Sequence, residues 1–343
     1  MNHSITTTIL FICLFLFAVA FIHHYFRNSI IPSVCWVLLA AVGYGFLNHH
    51  FHLQLPEVLI EPDIVLFVLL PILIFDASRK IPIKELKSVI VEVGFFATFG
   101  VVGVALLIGV LFAYFTKIPM IDAIFFGAIM AATDPVAVSA IFKNFTFPEK
   151  LNVLVEGESL VNDGTAVILF TVLGAVILEG VPFFVGYSLI TFSKSVLGAV
   201  LVGCIIGTGV SLLIRQWKDV HEQFIGAVLP IVAVYLTFVV AEHFLHVSGV
   251  ISVMAATMAM TYFHSALYHS HKDEGEDSYF NKFWDFLGDL TNKVLFFILG
   301  ASIGVHLFDI PWKFTPLLIP SATDRLLLMI LLKSASALST LIP

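Results

Sequence analysis

The chain has 343 residues, of which 59% are hydrophobic and only 12% are charged. That charged fraction is about half of what soluble globular domains carry, so polar groups could not cover a surface exposed to water. The net charge of −7 leaves no basic excess, which argues against nucleic acid as a partner. The three cysteines lie far apart in apolar runs and fit neither a disulfide framework nor a zinc site. The composition indicates a polytopic membrane protein.

Eleven apolar segments are long enough to be transmembrane helices. A bilayer core of about 30 Å needs roughly 20 residues of apolar helix. The predicted helices lie near 5–25, 29–47, 58–76, 88–116, 119–142, 152–178, 185–214, 223–245, 248–264, 283–308 and 324–342. Long runs such as 101–115 lack the alternation of barrel strands. The expected fold class is therefore all-α, with about 11 transmembrane helices.

The positions of lysine and arginine predict the orientation of the chain. The loops after odd-numbered predicted helices hold 11 of these residues and the loops after even-numbered helices hold 3. Because Lys and Arg are enriched in cytoplasmic loops, the odd loops should be cytoplasmic and the N-terminus should lie outside. The first segment ends in Ala18-Val19-Ala20 like a signal peptide, but no Lys or Arg precedes it, so a retained helix is expected.

The fifth predicted helix carries Thr133-Asp134-Pro135 at its middle. Pro135 cannot donate to the carbonyl four residues back and its ring clashes there, so a bend or break is expected. Asp134 followed by Pro135 also matches the N-cap and first residue of a restarting helix. The freed carbonyls must then be satisfied by protein, water or an ion. A kink stabilised by a capping carboxylate is the simpler alternative.

The start of the sixth predicted helix concentrates polar groups in Glu156, Glu158, Asn162 and Asp163. Glu158 and Asn162 are four residues apart and share a face, as do Ser159 and Asp163. Hard cations such as Na⁺ prefer such oxygen ligands, and a carboxylate can alternatively take a proton. An ionisable residue inside a span is costly and therefore indicates function. Glu156 is explained equally well by its favourable position at the positive end of the helix dipole.

Two stretches of these helices match the motifs of a known family. They are Ala132-Thr133-Asp134-Pro135-Val136-Ala137-Val138 and Glu156-Gly157-Glu158-Ser159-Leu160-Val161-Asn162-Asp163-Gly164-Thr165-Ala166. Further matching residues are Pro62-Asp63, Leu73-Ile74-Phe75-Asp76-Ala77, Ala241-Glu242, Ser248-Gly249-Val250 and Phe283-Trp284-Asp285. Together they resemble the monovalent cation:proton antiporters, in the branch of bacterial sodium/proton antiporters and animal sodium/hydrogen exchangers.

The resemblance implies a set of residues for the transport site. Asp163 is the expected carrier of ion and proton, with Na⁺ bound at Asp163, Ser159 and Thr133. Asn162 belongs to the same cation site, and its amide resembles the branch that exchanges one cation for one proton electroneutrally. Asp76 occupies the place of a third-helix acidic residue, often Glu, that contributes to the cation site in relatives.

Asp134, Pro135 and Glu158 are expected to compensate charges and helix ends around that site. In relatives, an Arg of a later helix pairs with the acidic residue at the position of Glu158. Here Ser336 stands at the Arg position, and Lys333 lies one turn away. Relatives also have about thirteen spans, so the final two core helices, including the second broken helix, are expected to be missing by C-terminal truncation.

The family implies a single transmembrane antiporter domain over 1–343 with inverted repeats. Core helices are expected at about 58–178 and 324–342, beside scaffold and dimerisation helices at about 5–47 and 185–308. The implied protein is a homodimer in the lipid bilayer of the inner (cytoplasmic) membrane. It would transport Na⁺ and protons, with Li⁺ or K⁺ as further cations, in sodium transport and pH homeostasis. It would need no cofactor.

Two other functional hypotheses stay open beside sodium/proton antiport. The absent Arg and final helices are also expected of a truncated paralogue that inserts without transporting. A channel is the weaker alternative, because one carboxylate site in a broken helix suits alternating access better than a multi-site pore. The sequence has no Ser-His-Asp, HExxH or phosphate-loop pattern, so no enzyme activity is predicted.

Three weaker patterns concern packing and surface charge. Small residues permit close helix packing, and four glycines of the seventh predicted helix are expected to serve this purpose: Gly198, Gly203, Gly207 and Gly209. Asp289 and Lys293 are four residues apart and are expected to neutralise each other. Histidines near helix ends, such as His23 and His24, could sense pH. They are explained more simply as interfacial polar residues.

Overall fold

The computed structural model describes residues 5–26, 29, 31–52, 62–132, 149–178, 185–216, 223–268 and 274–306. These residues are almost entirely helical, and no strand occurs among them. Six of the described helices are long and apolar enough to cross a membrane, and three shorter ones are also apolar. The predicted all-α polytopic fold is confirmed.

Ten helices lie within the described ranges. They are α1 (Ile5–Phe26), α2 (Ser33–Phe51), α3 (62–80), α4 (Ile83–Thr116), α5 (Met120–Met130), α6 (Glu149–Leu178), α7 (Val185–Gln216), α8 (223–244), α9 (Gly249–Tyr268) and α10 (Glu274–His306). Each coincides with one of the first ten predicted spans. The predicted span at 324–342 lies outside the described residues, so the total of eleven stays a prediction.

Three of these helices contain a π-helical turn, at Val65–Leu69 in α3, Phe96–Gly100 in α4 and Val240–Phe244 in α8. A π turn shifts the backbone hydrogen bonds by one residue and often marks a functional position. In α3 the Val68 carbonyl accepts a hydrogen bond of 2.7 Å from the Tyr235 hydroxyl of α8. This bond holds the π turn of α3 against α8.

Contacts divide the described residues into two compact units. The first contains the residues up to Val65 and those from Phe286 onward, and the second contains Leu66–Asp285. The second unit holds helices from both the predicted core and the predicted scaffold. The predicted division into core helices and scaffold helices therefore stays a prediction.

Glycines bring α7 and α9 of the second unit into close contact. A Cβ added at Gly203 would overlap the Ser252 carbonyl oxygen, and one at Gly207 would overlap that of Ala256. An added Cβ at Gly209 would meet nothing within 4 Å. The packing prediction is therefore confirmed for Gly198, Gly203 and Gly207 and wrong for Gly209.

In the first unit, glycines likewise bring α2 and α10 into close contact. A Cβ at Gly45 would overlap the Ala301 carbonyl oxygen, and one at Gly304 would overlap that of Val42. In lipid the hydrophobic effect does not drive two helices together, so close contact between their backbones is what lets them associate. Shape complementarity therefore fixes the position of α10 along α2.

We expect Gly207→Ala to destabilise the protein by roughly 1–3 kcal/mol, because the new methyl group meets the backbone of α9. Gly209→Ala is the matched control on the same helix. It should be neutral or stabilising by up to about 1 kcal/mol, since alanine favours helix and the position is open. Thermal unfolding of both variants in detergent measures the difference. Equal unfolding temperatures for the two variants would contradict the close contact of α7 with α9.

Candidate functional site

Helix α6 carries the predicted carrier and is the hub of the second unit. It contacts α3, α4, α5, α7 and α9. Small residues allow this crowding: Ala166 of α6 packs in one cluster with Ala105 of α4 and Ala128 of α5. Ile168 of α6 packs with Ala199 of α7 on another side of the helix. The polar residues of α6 are therefore held by neighbours on several sides.

The polar residues of α6 divide between a buried and an exposed side. Asn162 is 0% exposed and Ser159 is 5% exposed, whereas Asp163 is exposed. Buried and exposed polar side chains thus lie within one turn and a half of α6.

The predicted pairing of Glu158 with Asn162 is present in the structure. The amide nitrogen of Asn162 donates a hydrogen bond of 3.0 Å to Oε1 of Glu158. A bond from a neutral donor to a carboxylate is stronger than one between two neutral groups. This bond fixes the rotamer of Asn162 directly beside Asp163 in the chain, and it gives Glu158 a partner on its own helix.

Glu158 also lines a cavity of about 250 Å³ between α4, α5 and α6. The other walls are apolar and include Phe96 and Gly100 of the π turn in α4, and Ala131 just after α5. Glu158 is the one ionisable residue among the residues that line this cavity. The cavity therefore brings open volume to the polar start of α6.

Asp76 of α3 lies in a network of ion pairs. Its Oδ1 accepts bonds of 3.1 and 2.7 Å from the Arg79 guanidinium, and its Oδ2 accepts one of 2.7 Å from Lys80. Arg79 also donates to Asp285 at 2.5 Å and to Asn281 at 3.0 Å, both in α10. Both carboxylate oxygens of Asp76 thus accept hydrogen bonds from the cationic side chains of Arg79 and Lys80 on its own helix. Its role in the cation site stays a prediction, and these bonds would compete with it.

Helix α5 ends at Met130, three residues before the predicted break. Thr133, Asp134 and Pro135 themselves lie outside the described residues, as do Lys333 and Ser336. The predicted Na⁺ ligand Thr133 is therefore not placed. Of the predicted cation-site residues, the structure brings Asn162 and Ser159 together with Asp163 on α6 and positions Asp76 on α3.

Sequence reasoning matched Glu242 and Asp285 to the family but assigned neither of them a structural role. Oε2 of Glu242 accepts a bond of 2.8 Å from the backbone N–H of Gly249, at the start of α9. Ser248 caps the same helix, since its hydroxyl accepts from Ile251 N–H at 3.3 Å. A carboxylate at a helix N-terminus is stabilised by free N–H groups and by the dipole. The acidic residue six positions before a capping serine was the available signal.

The chain is similar in sequence to a known protein family. The family model described as sodium/hydrogen exchanger, transmembrane, matches residues 9–338. The chain belongs to this sodium/hydrogen exchanger family. The match spans nearly all described helices, so the family of transporters predicted from the two motifs is confirmed.

Three relatives illustrate the similarity of this exchanger-family chain. The Na⁺/H⁺ antiporter ApNhaP of Aphanothece halophytica is 32% identical over 83% of this chain and 52% of its own length. The Na⁺/H⁺ antiporter NhaH of Halobacillus aidingensis is 33% identical over 70% of this chain and 58% of its own. The sodium proton antiporter MjNhaP1 of Methanocaldococcus jannaschii has a solved structure with a TM-score of 0.72 at 21% identity, covering 92% of this chain and 74% of its own. The chain spans about half the length of the curated relatives it matches.

The bond between Asn162 and Glu158 gives a testable exchange of roles. Asn162→Asp places a carboxylate where a donor stood 3.0 Å from Glu158, and should destabilise the protein by about 1–3 kcal/mol. Adding Glu158→Gln restores an amide and carboxylate pair with the roles exchanged, and should recover most of the loss. Unfolding midpoints in detergent measure both. A double variant no more stable than Asn162→Asp would show that this bond is not what Asn162 contributes.

Proposed function

We propose that this chain provides the exchange of a monovalent cation, Na⁺ in the first place, for a proton across the membrane. The observation that supports it most is the exposed carboxylate of Asp163 next to the buried polar side chain of Asn162 on the central helix of an exchanger-family fold. The curated relatives named above are Na⁺/H⁺ antiporters. The proposal is one of transport, without a catalytic reaction or a cofactor.

Competition for Asp163 supplies the coupling in this proposal. A carboxylate holds either a proton or a cation, and the binding of one releases the other. Ser159, four residues before Asp163 on α6, and Thr133 offer hydroxyl oxygens of the kind that hard cations prefer. Alternating access of this one site to the two sides would then exchange one species for the other.

The proposed exchange is electroneutral because Asn162 is an amide. An amide does not titrate, so Asn162 adds no second exchangeable charge to the site, and its nitrogen donates a hydrogen bond to Glu158. One carboxylate then carries one positive charge in each direction, as Na⁺ or as H⁺. Glu158 takes part through this bond as a positioning residue for Asn162.

The proposed setting is the cytoplasmic membrane, with the odd-numbered loops in the cytoplasm and the N-terminus outside, as the distribution of Lys and Arg favours. Ion gradients would drive the exchange, with Li⁺ or K⁺ as further cations in the lipid bilayer. A homodimer is proposed on the family resemblance.

Asp163→Asn should abolish cation-driven proton movement, because an amide can neither release a proton nor balance Na⁺. The measurement is the dissipation of a pH gradient on addition of Na⁺ to everted membrane vesicles. Glu92→Gln, which changes an exposed carboxylate on α4, is the matched control and should retain the parent rate. Exchange retained in Asp163→Asn at matched expression would refute Asp163 as the carrier.

Electroneutral exchange predicts a rate that does not depend on membrane potential. One net charge moved across about 100 mV is worth about 2.3 kcal/mol, so an electrogenic cycle would respond severalfold. In proteoliposomes with a potential imposed by K⁺ and valinomycin, Na⁺-driven proton flux should stay the same within about a factor of two of its value at zero potential. A severalfold change would contradict the exchange of one cation for one proton.

A further inference from the structure

Lys293 is an ionisable residue buried within the span of α10. Its side chain is only 3% exposed, and it lies inside the apolar stretch Phe280–Val305. Its Nζ forms an ion pair with Asp289 one turn earlier, as predicted from their spacing. The same Nζ lies 3.3 Å from Nδ1 of His23 in α1. A charged residue in a span is a candidate functional group together with its partners.

Aromatic rings close this cluster on one side. Phe297 lies one turn beyond Lys293. The centroid of its ring lies 4.8 Å from that of Phe15 and 6.3 Å from that of Phe11, both of α1. Tyr44 of α2 completes the packing at 5.6 Å from Phe297. Access to Lys293 from that direction is blocked by apolar rings.

The other side of the cluster is open. His23 is exposed, three residues before the end of α1, and the side chain of Asp289 is 51% exposed. The imidazole of His23 and the carboxylate of Asp289 are therefore exposed, while the ammonium of Lys293 is buried.

The contact between His23 and Lys293 depends on the state of the imidazole. The ammonium of Lys293 has donors and no acceptor. A hydrogen bond between the two groups therefore requires Nδ1 of His23 to accept, which corresponds to the neutral ring with its proton on Nε2. A proton added to Nδ1 removes that acceptor and places a second cation 3.3 Å from Nζ. Asp289 alone would then face two cations.

The described parts of α1 and α2 hold few titratable groups near His23. On α1, the titratable residues beside His23 are His24 and Tyr25, both exposed. Helix α2 has no Asp, Glu, Lys, Arg or His between positions 33 and 44, and its titratable groups there are Cys35 and Tyr44. Among the described residues, the groups that meet a proton on His23 are thus those of Lys293 and Asp289.

We propose that His23, Lys293 and Asp289 form a second proton-binding site, distinct from Asp163, that controls the contact between α1 and α10. In the neutral state His23 accepts from Lys293 and joins the two helices. A proton taken from the medium onto Nδ1 breaks this bond, leaves Lys293 paired with Asp289 alone, and separates α1 from α10. The one bond that forms is the N–H bond on Nδ1, with the proton supplied by the medium, and the site binds a proton as its only ligand.

Distances between spin labels on α1 and α10 test this site directly. Phe17→Cys and Phe286→Cys place labels at side chains that are 70% and 65% exposed, after Cys13, Cys35 and Cys204 are replaced by serine. Pulsed electron resonance on the full chain in lipid nanodiscs compares pH 8 with pH 5, spanning the range in which histidine titrates. We expect the distance distribution to shift or broaden at pH 5 and to recover at pH 8.

Variants at the three positions separate the proposed cause from a general effect of pH. His23→Gln should remove the pH response, and Lys293→Gln should also remove it, because a protonated His23 then meets no cation. His24→Gln, the neighbouring exposed histidine, should respond like the parent. A response retained in folded His23→Gln or Lys293→Gln would overturn the proposal, as would the absence of any response in the parent.

The distance measurement is independent of the proposed transport function. It needs no cation gradient, so a pH response carried by His23 stands even if Asp163→Asn leaves exchange intact. Conversely, loss of exchange in Asp163→Asn with no response at His23 would uphold antiport and overturn the second proton site.

Discussion

Every polar group that enters the hydrocarbon of a bilayer needs a partner inside the protein, because lipid offers neither donors nor acceptors. Hydroxyls meet this constraint locally: Ser78, Thr165 and Thr257 each donate to the carbonyl four residues earlier. Charged and amide groups meet it in pairs, such as Asn162 with Glu158 and Glu242 with the backbone of Gly249. These bonds satisfy polar groups within one helix or at the start of the next one, and they leave the contacts between distant helices to other interactions.

Close packing meets the second demand that lipid imposes. Apolar side chains gain little by leaving lipid for protein, so association depends on shape and on backbone approach. Glycines supply that approach between α7 and α9 and between α2 and α10, and alanines supply it around α6. The result is a central helix on which Asn162 and Ser159 are buried among its neighbours, while Asp163 is exposed.

The network around Arg79 shows a different use of buried charge. Arg79 joins Asp76 of its own helix to Asp285 and Asn281 of α10, and the Phe75 ring packs on Trp284 at 4.2 Å in the same region. A planar guanidinium with five donors can serve several acceptors at once, which an ammonium cannot do in the same way. These ion pairs and hydrogen bonds thus join the end of α3 to α10.

Hydropathy in the sequence determined the positions of ten helices, because span length is set by the bilayer, and local spacing determined the pairs Glu158 with Asn162 and Asp289 with Lys293. The two motifs on the fifth and sixth helices determined the family. Only the tertiary structure joined Arg79 to Asp285 and His23 to Lys293, partners 206 and 270 residues apart that no local period connects. It also decided which glycines of α7 face α9, and where π turns occur in the helices. Helix periodicity defines the faces of a helix, but which face meets which neighbour depends on the packing of the whole chain.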